Sequence, residues 1–119
     1  MNRKPVLAKG IKYKTPGEVL DLITDFADKL SADSLTGKTP TITISGEDTA
    51  LTVSSEAVNA TITNIEDRNG ITVYSVPANK GVEYRVTGGT SGVQYEMLVS
   101  CPTVDGQTMQ MICLMRVEA

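Results

Sequence analysis

From Thr39 onward, hydrophobic and polar residues alternate in short runs that end at turn-forming residues. Residues 41–45 and 60–65 alternate strictly, and residues 71–76 and 82–86 continue the pattern. An alternation with a period of two is typical of a strand that buries one face. Gly, Asn and Asp residues separate these runs at intervals typical of two packed antiparallel sheets. The pattern therefore predicts an all-β protein, an antiparallel β-sandwich of about seven strands.

A tight hairpin is predicted around Asn69-Gly70, because both residues accept the positive φ angles that such a turn requires. A second, longer hairpin is predicted around Asp105-Gly106. A turn there would pair Val104 with Gln107 and would set Cys101 opposite Gln110.

The two strands of this longer hairpin each carry a continuous apolar face. Odd-numbered residues from 93 to 101 and from 109 to 117 share that face, and mostly polar residues lie opposite. Leu98, Ile112 and Leu114 interrupt the polar face. Their position indicates that part of this face is covered as well.

The segment from Thr15 to Leu30 fits two templates. Val19, Leu20, Ile23, Phe26, Ala27 and Leu30 form a helical stripe, preceded by a capping-box sequence with Pro16 at the first helical position. Leu20, Leu22 and Phe26 also alternate with Asp21, Ile23 and Asp25 in the manner of a strand. The local pattern by itself favours the helix, with the strand as the alternative.

The composition adds weight to the β prediction and argues against catalysis. Thr, Val and Ile account for 35 of the 119 residues, and these β-branched side chains favour strands. The chain has no His, which removes the commonest general base and metal ligand. Asp21 and Asp25 on one strand would lie about 13 Å apart, too far to share an ion. We therefore predict no enzyme activity, no catalytic residue, no cofactor and no metal site.

The formal charge of −3 is unevenly distributed. Residues 1–14 contain five basic side chains and no acidic one, and the other 105 residues contain six basic and 14 acidic ones. This asymmetry predicts an extended basic N-terminal arm (residues 1–14) on a single acidic domain (residues 15–119). A solvated terminus is the alternative. An acidic body with few aromatic residues argues against nucleic acid as a partner.

The candidate contacts with a partner protein are residues of the arm and of the first hairpin's tip, because loops on a rigid scaffold often carry recognition. They are Arg3, Lys4, Lys12, Tyr13, Arg68 and Asn69.

Two further features concern the cellular setting. No apolar run reaches the roughly 18 residues of a membrane span, which predicts synthesis in the cytoplasm and no membrane contact. Cys101 and Cys113 lie on the two strands of the longer hairpin, and the expected register separates their thiols by about 10 Å. They are predicted to be free and buried.

Two sequence segments resemble those of a known family. They are Lys14-Thr15-Pro16-Gly17-Glu18-Val19-Leu20-Asp21 and Gly88-Gly89-Thr90-Ser91-Gly92-Val93-Gln94-Tyr95. The second resembles the corner before the penultimate strand of immunoglobulin-like sandwiches, where a Tyr hydroxyl can bond back to the backbone. Together, in this order, they resemble the phage fibre–tail adaptors. Phe26 and Lys29 stand where members of that family usually have Trp, and residues 66–80 resemble an insertion.

The resemblance implies an immunoglobulin-like fold in which Val19–Phe26 is a strand and Ala27–Leu30 a short helical turn. It implies a structural protein of the bacteriophage virion that joins tail fibres to the tail or neck. The implied partners are tail or nozzle proteins, tail fibres and neighbouring copies of the chain in an oligomeric assembly, with no small-molecule substrate. The alternative function is a capsid decoration or carbohydrate-binding immunoglobulin-like module.

Overall fold

The computed structural model describes residues 5–46 and 48–119, which form ten β-strands and one helical turn. In chain order the elements are β1 (Val6–Leu7), β2 (Ile11–Lys14), β3 (Leu20–Asp25), α1 (Ala27–Leu30), β4 (Thr41–Ser45), β5 (Leu51–Val58), β6 (Thr63–Glu66), β7 (Thr72–Val76), β8 (Gly81–Gly88), β9 (Gln94–Pro102) and β10 (Thr108–Val117). The prediction of an all-β chain is confirmed. The strand number exceeds the predicted seven mainly because the N-terminal segment contributes β1 and β2.

Eight strands form two four-stranded sheets that pack face to face. Sheet A has the strand order β1-β3-β8-β5, and sheet B has the order β2-β10-β9-β4. Alternate side chains of both sheets point into the space between them, where Leu22 and Tyr84 of sheet A pack with Met97 and Met115 of sheet B. This shared core confirms the predicted β-sandwich.

The segment from Thr15 to Leu30, whose sequence fits both a helix and a strand, contains strand β3 followed by helical turn α1. β3 pairs with β8 from Leu20 opposite Val86 to Asp25 opposite Gly81, and α1 follows directly. Leu22 is buried in the core between the sheets, whereas the adjacent Ile23 is buried on the opposite face of sheet A. Because both faces are covered, the apolar residues do not alternate cleanly and imitate a helical stripe.

The β9–β10 hairpin has a register one residue away from the expected one. Met109 lies opposite Cys101 and Thr108 opposite Pro102. The connection is a three-residue loop with Gly106 at φ 85, and the Thr103 amide donates to the Gln107 carbonyl over 2.8 Å. Residues directly opposite each other point to the same side of a sheet. The observed register therefore places both odd-numbered apolar faces in the core, which the expected register could not do.

The two cysteines of this hairpin are buried and free, as predicted. Burial raises the pKa of both thiols.

The N-terminal segment differs from the predicted extended arm. β1 pairs with β3 of sheet A, and β2 pairs with β10 of sheet B, both in parallel. Gly10, at φ 69, lies in the bend between them. From Pro5 onward the segment is therefore part of the sandwich, because its backbone groups hydrogen-bond to both sheets. Residues 1–4 lie outside the described part of the chain.

Strands β6 and β7 form a separate hairpin that packs on the outer face of sheet A. Ile65 and Val76 of the hairpin form a small second core with Ile23, and Leu7 packs against it. The Thr63 hydroxyl donates to Glu83 on β8 over 2.6 Å. The predicted hairpin is thus confirmed, but its turn is not the tight one predicted. The Asp67 amide donates to the Ile71 carbonyl around a three-residue loop, in which Gly70 has a positive φ of 80° and Asn69 does not.

Candidate protein-interaction surface

The outer face of sheet B carries apolar side chains on three adjacent strands. In the strand register Ile11 lies beside Leu114, Ile112 lies opposite Leu98, and Tyr13 lies beside Arg116. We call the apolar members of this group the sheet B face: Ile11, Tyr13, Leu98, Ile112 and Leu114. Every second residue of β10 must point away from the core, and two of those outward positions hold branched aliphatic side chains instead of polar ones.

The sheet B face is accessible from outside the molecule. Tyr13 is 61% exposed and Ile112 is 59% exposed, whereas Leu98 and Leu114 are half-buried among their neighbours. At the end of the face, Arg116 forms a 2.6 Å ion pair with Glu118. An exposed apolar group with a polar border is typical of a surface that binds another protein. The sequence predicted that part of the face with Leu98, Ile112 and Leu114 is covered. No described residue of the chain itself provides that cover.

Of the arm residues predicted as contacts, Tyr13 alone among those described points outward on this face. Lys12 lies beside Met115 in the register, so it points toward the interior at the edge of the sandwich and is half-buried. Its neighbour Lys14 is 3% exposed, and its ammonium donates to the carbonyls of Thr15 (2.6 Å) and Gly88. Burial lowers the pKa of Lys14. The charge of Lys14 therefore holds loops together and is not available to a partner.

The predicted contacts at the hairpin tip lie on the other side of the molecule. Arg68 and Asn69 are exposed in the β6–β7 loop, and that hairpin covers the outer face of sheet A. Arg3 and Lys4 lie outside the described residues. The structure thus does not bring the four described candidates together in one site, since Lys12 and Tyr13 lie on β2 and Arg68 and Asn69 lie in the β6–β7 loop. The alternation pattern identified Leu98, Ile112 and Leu114 as apolar residues on a polar face. It gave no indication for Ile11, because the exposure of Ile11 follows from the pairing of β2 with β10.

Tyr95 fixes the corner before β9, one end of the strand on which Leu98 lies. Its side chain is buried, and its hydroxyl accepts a hydrogen bond from the Thr90 amide (2.8 Å) and donates to Asp48 (2.7 Å). This bond back to the backbone is the one expected from the Gly-rich sequence before Tyr95. The bonds from Tyr95 and from the Ala50 amide hold the pKa of Asp48 below its ordinary value.

Tyr95→Phe is expected to lower the free energy of unfolding by about 1–2 kcal/mol, because the Thr90 amide loses its acceptor and the Asp48 carboxylate loses one of its donors. Urea unfolding followed by circular dichroism measures the change. Tyr13→Phe is the control, since that side chain is exposed, and its effect should stay within about 0.5 kcal/mol. Equal effects of the two substitutions would contradict the role of the Tyr95 hydroxyl.

Two buried side chains, Tyr84 and Cys113, carry groups that can act as nucleophiles only when deprotonated. Burial raises the pKa of Tyr84 and of the adjacent Cys113 thiol, so both groups stay protonated at neutral pH.

A cleft of about 260 Å³ near α1 is lined by side chains that include Asp25 and Tyr74. The Tyr74 hydroxyl donates to Asp25, and this bond raises the pKa of Tyr74 to about 12.

Within residues 5–46 and 48–119, no group of three or more Cys, Asp or Glu side chains is arranged to hold a metal ion. No helix in the described part of the chain is long and apolar enough to cross a membrane. No protein-family model matches the chain, and no curated protein matches it either.

Proposed function

We propose that the chain is a non-catalytic structural module that binds another protein through the sheet B face. The observation that carries this proposal is the exposure of Ile11, Tyr13 and Ile112 on a rigid sheet, side by side in the strand register. A protein partner would remove these side chains from water. Such burial contributes roughly 25 cal/mol for each Å² of apolar surface.

We propose that the sandwich has an immunoglobulin-like topology. Strands β3, β8 and β5 lie in one sheet and β2, β10, β9 and β4 in the other, which is the arrangement of strands B, E and D and strands A′, G, F and C of such a sandwich. The Tyr95 corner at the start of the penultimate strand supports the same assignment. Two features depart from it: β1 is parallel to β3, and β6–β7 is an inserted hairpin.

The biological setting that we propose is a bacteriophage virion, in which the module joins tail fibres to the tail or neck. Its support is the sequence resemblance of residues 14–21 and 88–95 to phage fibre–tail adaptors, together with the sheet B face as a means of attachment. The partners would be tail or nozzle proteins, tail fibres and neighbouring copies of the chain.

Ile112→Lys is expected to reduce incorporation of the chain into virions more than tenfold, because a charge would be buried at the centre of the contact. The measurement is the amount of chain that co-sediments with tailed particles purified from the phage that encodes it. Val104→Lys is the matched control, because Val104 is 54% exposed, much like Ile112 at 59%, but lies in the β9–β10 loop.

Both variants should fold as the wild type does, since both positions are exposed. If no chain is present in the purified particles, the virion proposal is wrong. If Ile112→Lys is incorporated at the wild-type level, the sheet B face is not the attachment surface. Binding of the purified chain to a glycan array would favour the carbohydrate-binding alternative.

A further inference from the structure

Sheets A and B of the described structure have four edge strands between them, and three of these four carry features that prevent pairing with another strand. β1 has two residues, and β2 carries Lys12 and Lys14. In β5 the register shifts between Ser54 and Ala57, with Ser55 at φ 58 and an exposed Glu56. Short length, charge and bulges are the usual means by which proteins protect sheet edges.

β4 has none of these protections. Its sequence, Thr41-Ile42-Thr43-Ile44-Ser45, carries no charge and no proline, and its pairing with β9 is regular over all five residues. In the described part of the chain, β9 is the strand that pairs with β4, so the backbone groups along the opposite edge have no strand partner.

The side chains of β4 show that the seam between the sheets is incompletely covered at this edge. Ile42 and Ile44 pack against the main core but are half-buried, and Val53 and Val58 on the neighbouring edge strand β5 are half-buried too. Thr41, Thr43 and Ser45 point outward and are exposed. A strand added to β4 would bury more of the isoleucine side chains and would satisfy the free backbone groups.

We infer that β4 pairs with β4 of a second copy of this chain, antiparallel and centred on Thr43, so that two sheets B form one eight-stranded sheet. The sequence of β4 is complementary to itself in this register. Ile42 of one copy lies opposite Ile44 of the other on the core side, and Thr41 lies opposite Ser45 on the outer side. Isoleucine pairs and Thr–Ser pairs both stabilise adjacent antiparallel strands, and a twofold axis repeats each contact.

The flanking charges favour a second copy over an unrelated strand. Lys38 precedes β4 and Asp48 follows it, and each lies five positions from Thr43. An antiparallel pair of β4 strands places the end that carries Lys38 in one copy near the end that carries Asp48 in the other, although the paired residues themselves are Thr41–Ser45. Lys38 is exposed, and Asp48 is half-buried at the corner where the Tyr95 hydroxyl donates to it. The inference goes beyond the proposed function, because the purified chain would pair whatever particle it belongs to.

The test is sedimentation equilibrium of the purified chain with variants at Thr43. The wild type should show a reversible monomer–dimer equilibrium, and Thr43→Lys and Thr43→Glu should each weaken it roughly fivefold or more, because like charges would lie opposite each other. An equimolar mixture of the two variants should form a heterodimer, because opposite charges then face each other. Thr108→Lys is the control, since it adds the same charge at an exposed position of β10.

A second measurement requires no variant. Hydrogen exchange of the β4 amides should slow as the concentration of the wild-type chain rises. A wild-type chain that stays monomeric at millimolar concentration overturns the inference. So does a dimer that Thr43→Lys leaves intact, since its interface must then lie elsewhere, or a mixture that forms no heterodimer. None of these results depends on the outcome of the virion experiment.

Discussion

Gly88→Ala is expected to lower the free energy of unfolding by about 2–5 kcal/mol, whereas Gly92→Ala should lower it by about 1–2 kcal/mol. Both glycines have a positive φ, 75° and 88°, which a side chain with a Cβ adopts at a cost. The two positions differ in the space available. A Cβ at Gly88 would lie 2.4 Å from the carbonyl oxygen of Ala50, and a Cβ at Gly92 would meet nothing within 4 Å.

The backbone around Gly88 has little freedom to relieve that contact. The Ala50 carbonyl accepts a hydrogen bond from the Gly89 amide over 3.1 Å, and the Gly88 carbonyl accepts one from the buried ammonium of Lys14. Moving either carbonyl would break a bond that joins two loops. Urea unfolding of both variants measures the difference, and equal losses would mean that backbone conformation alone, not the contact with Ala50, requires glycine at position 88.

The sequence sufficed for strands that bury one face. In β9 and β10 every odd-numbered position from 95 to 101 and from 109 to 117 points to the core, as the alternation indicated. The same alternation also contained the correct register. Pairing Val104 with Gln107 sets even-numbered residues opposite odd-numbered ones. That register conflicts with apolar faces that are odd-numbered on both strands. The turn residues alone could not decide the register.

The sequence was insufficient where tertiary contacts decide the role of a residue. Lys12 and Lys14 look like solvent-exposed charges, but β2 pairs with β10 and turns them toward the interior. A lysine can be buried in this way when its long stem packs and its ammonium reaches carbonyl groups, as that of Lys14 does. Net charge cannot distinguish this arrangement from a free basic arm.

The candidate site was partly visible for the same reason. Leu98, Ile112 and Leu114 were recognisable as exceptions to a polar face, because they belong to strands with a clear period. Pattern alone does not reveal whether the chain or a partner covers such exceptions. The β6–β7 hairpin covers Ile23 on sheet A, and the described residues leave Ile112 on sheet B exposed.

Asp33 joins the loop after α1 to the β9–β10 loop. Its side chain is buried and accepts hydrogen bonds from the amides of Ser34 (2.8 Å) and Asp105 (3.1 Å). Burial by itself raises the pKa of this carboxyl. The hydrogen bonds from Thr103 and from these two amides outweigh it, together with the nearby Lys80 ammonium, and the pKa lies below its ordinary value. The charged form of Asp33 is therefore the stabilising one.

Asp33→Ala is expected to lower the free energy of unfolding by roughly 1–3 kcal/mol at pH 7, because the amides of Ser34 and Asp105 both lose their acceptor. Asp33→Asn keeps the shape and one acceptor oxygen but removes the charge, so its loss should be smaller. Urea unfolding at pH 7 measures both. A neutral effect of Asp33→Ala would show that water satisfies these amides equally well.

The difference in stability between the wild type and Asp33→Asn should depend on pH in a defined direction. The pKa of Asp33 is lower in the folded state than its unfolded value of about 3.9, so the folded chain binds a proton less readily than the unfolded chain. The stabilisation is then complete well above pH 4 and is lost as the pH falls from about 4 through the folded-state pKa. Other carboxylates, including Asp48, titrate in both proteins and cancel in the comparison. The gap between the two unfolding free energies should therefore narrow as the pH falls from 7 to 3, and a gap that stays constant over this range would show that the charge of Asp33 does not stabilise the loops.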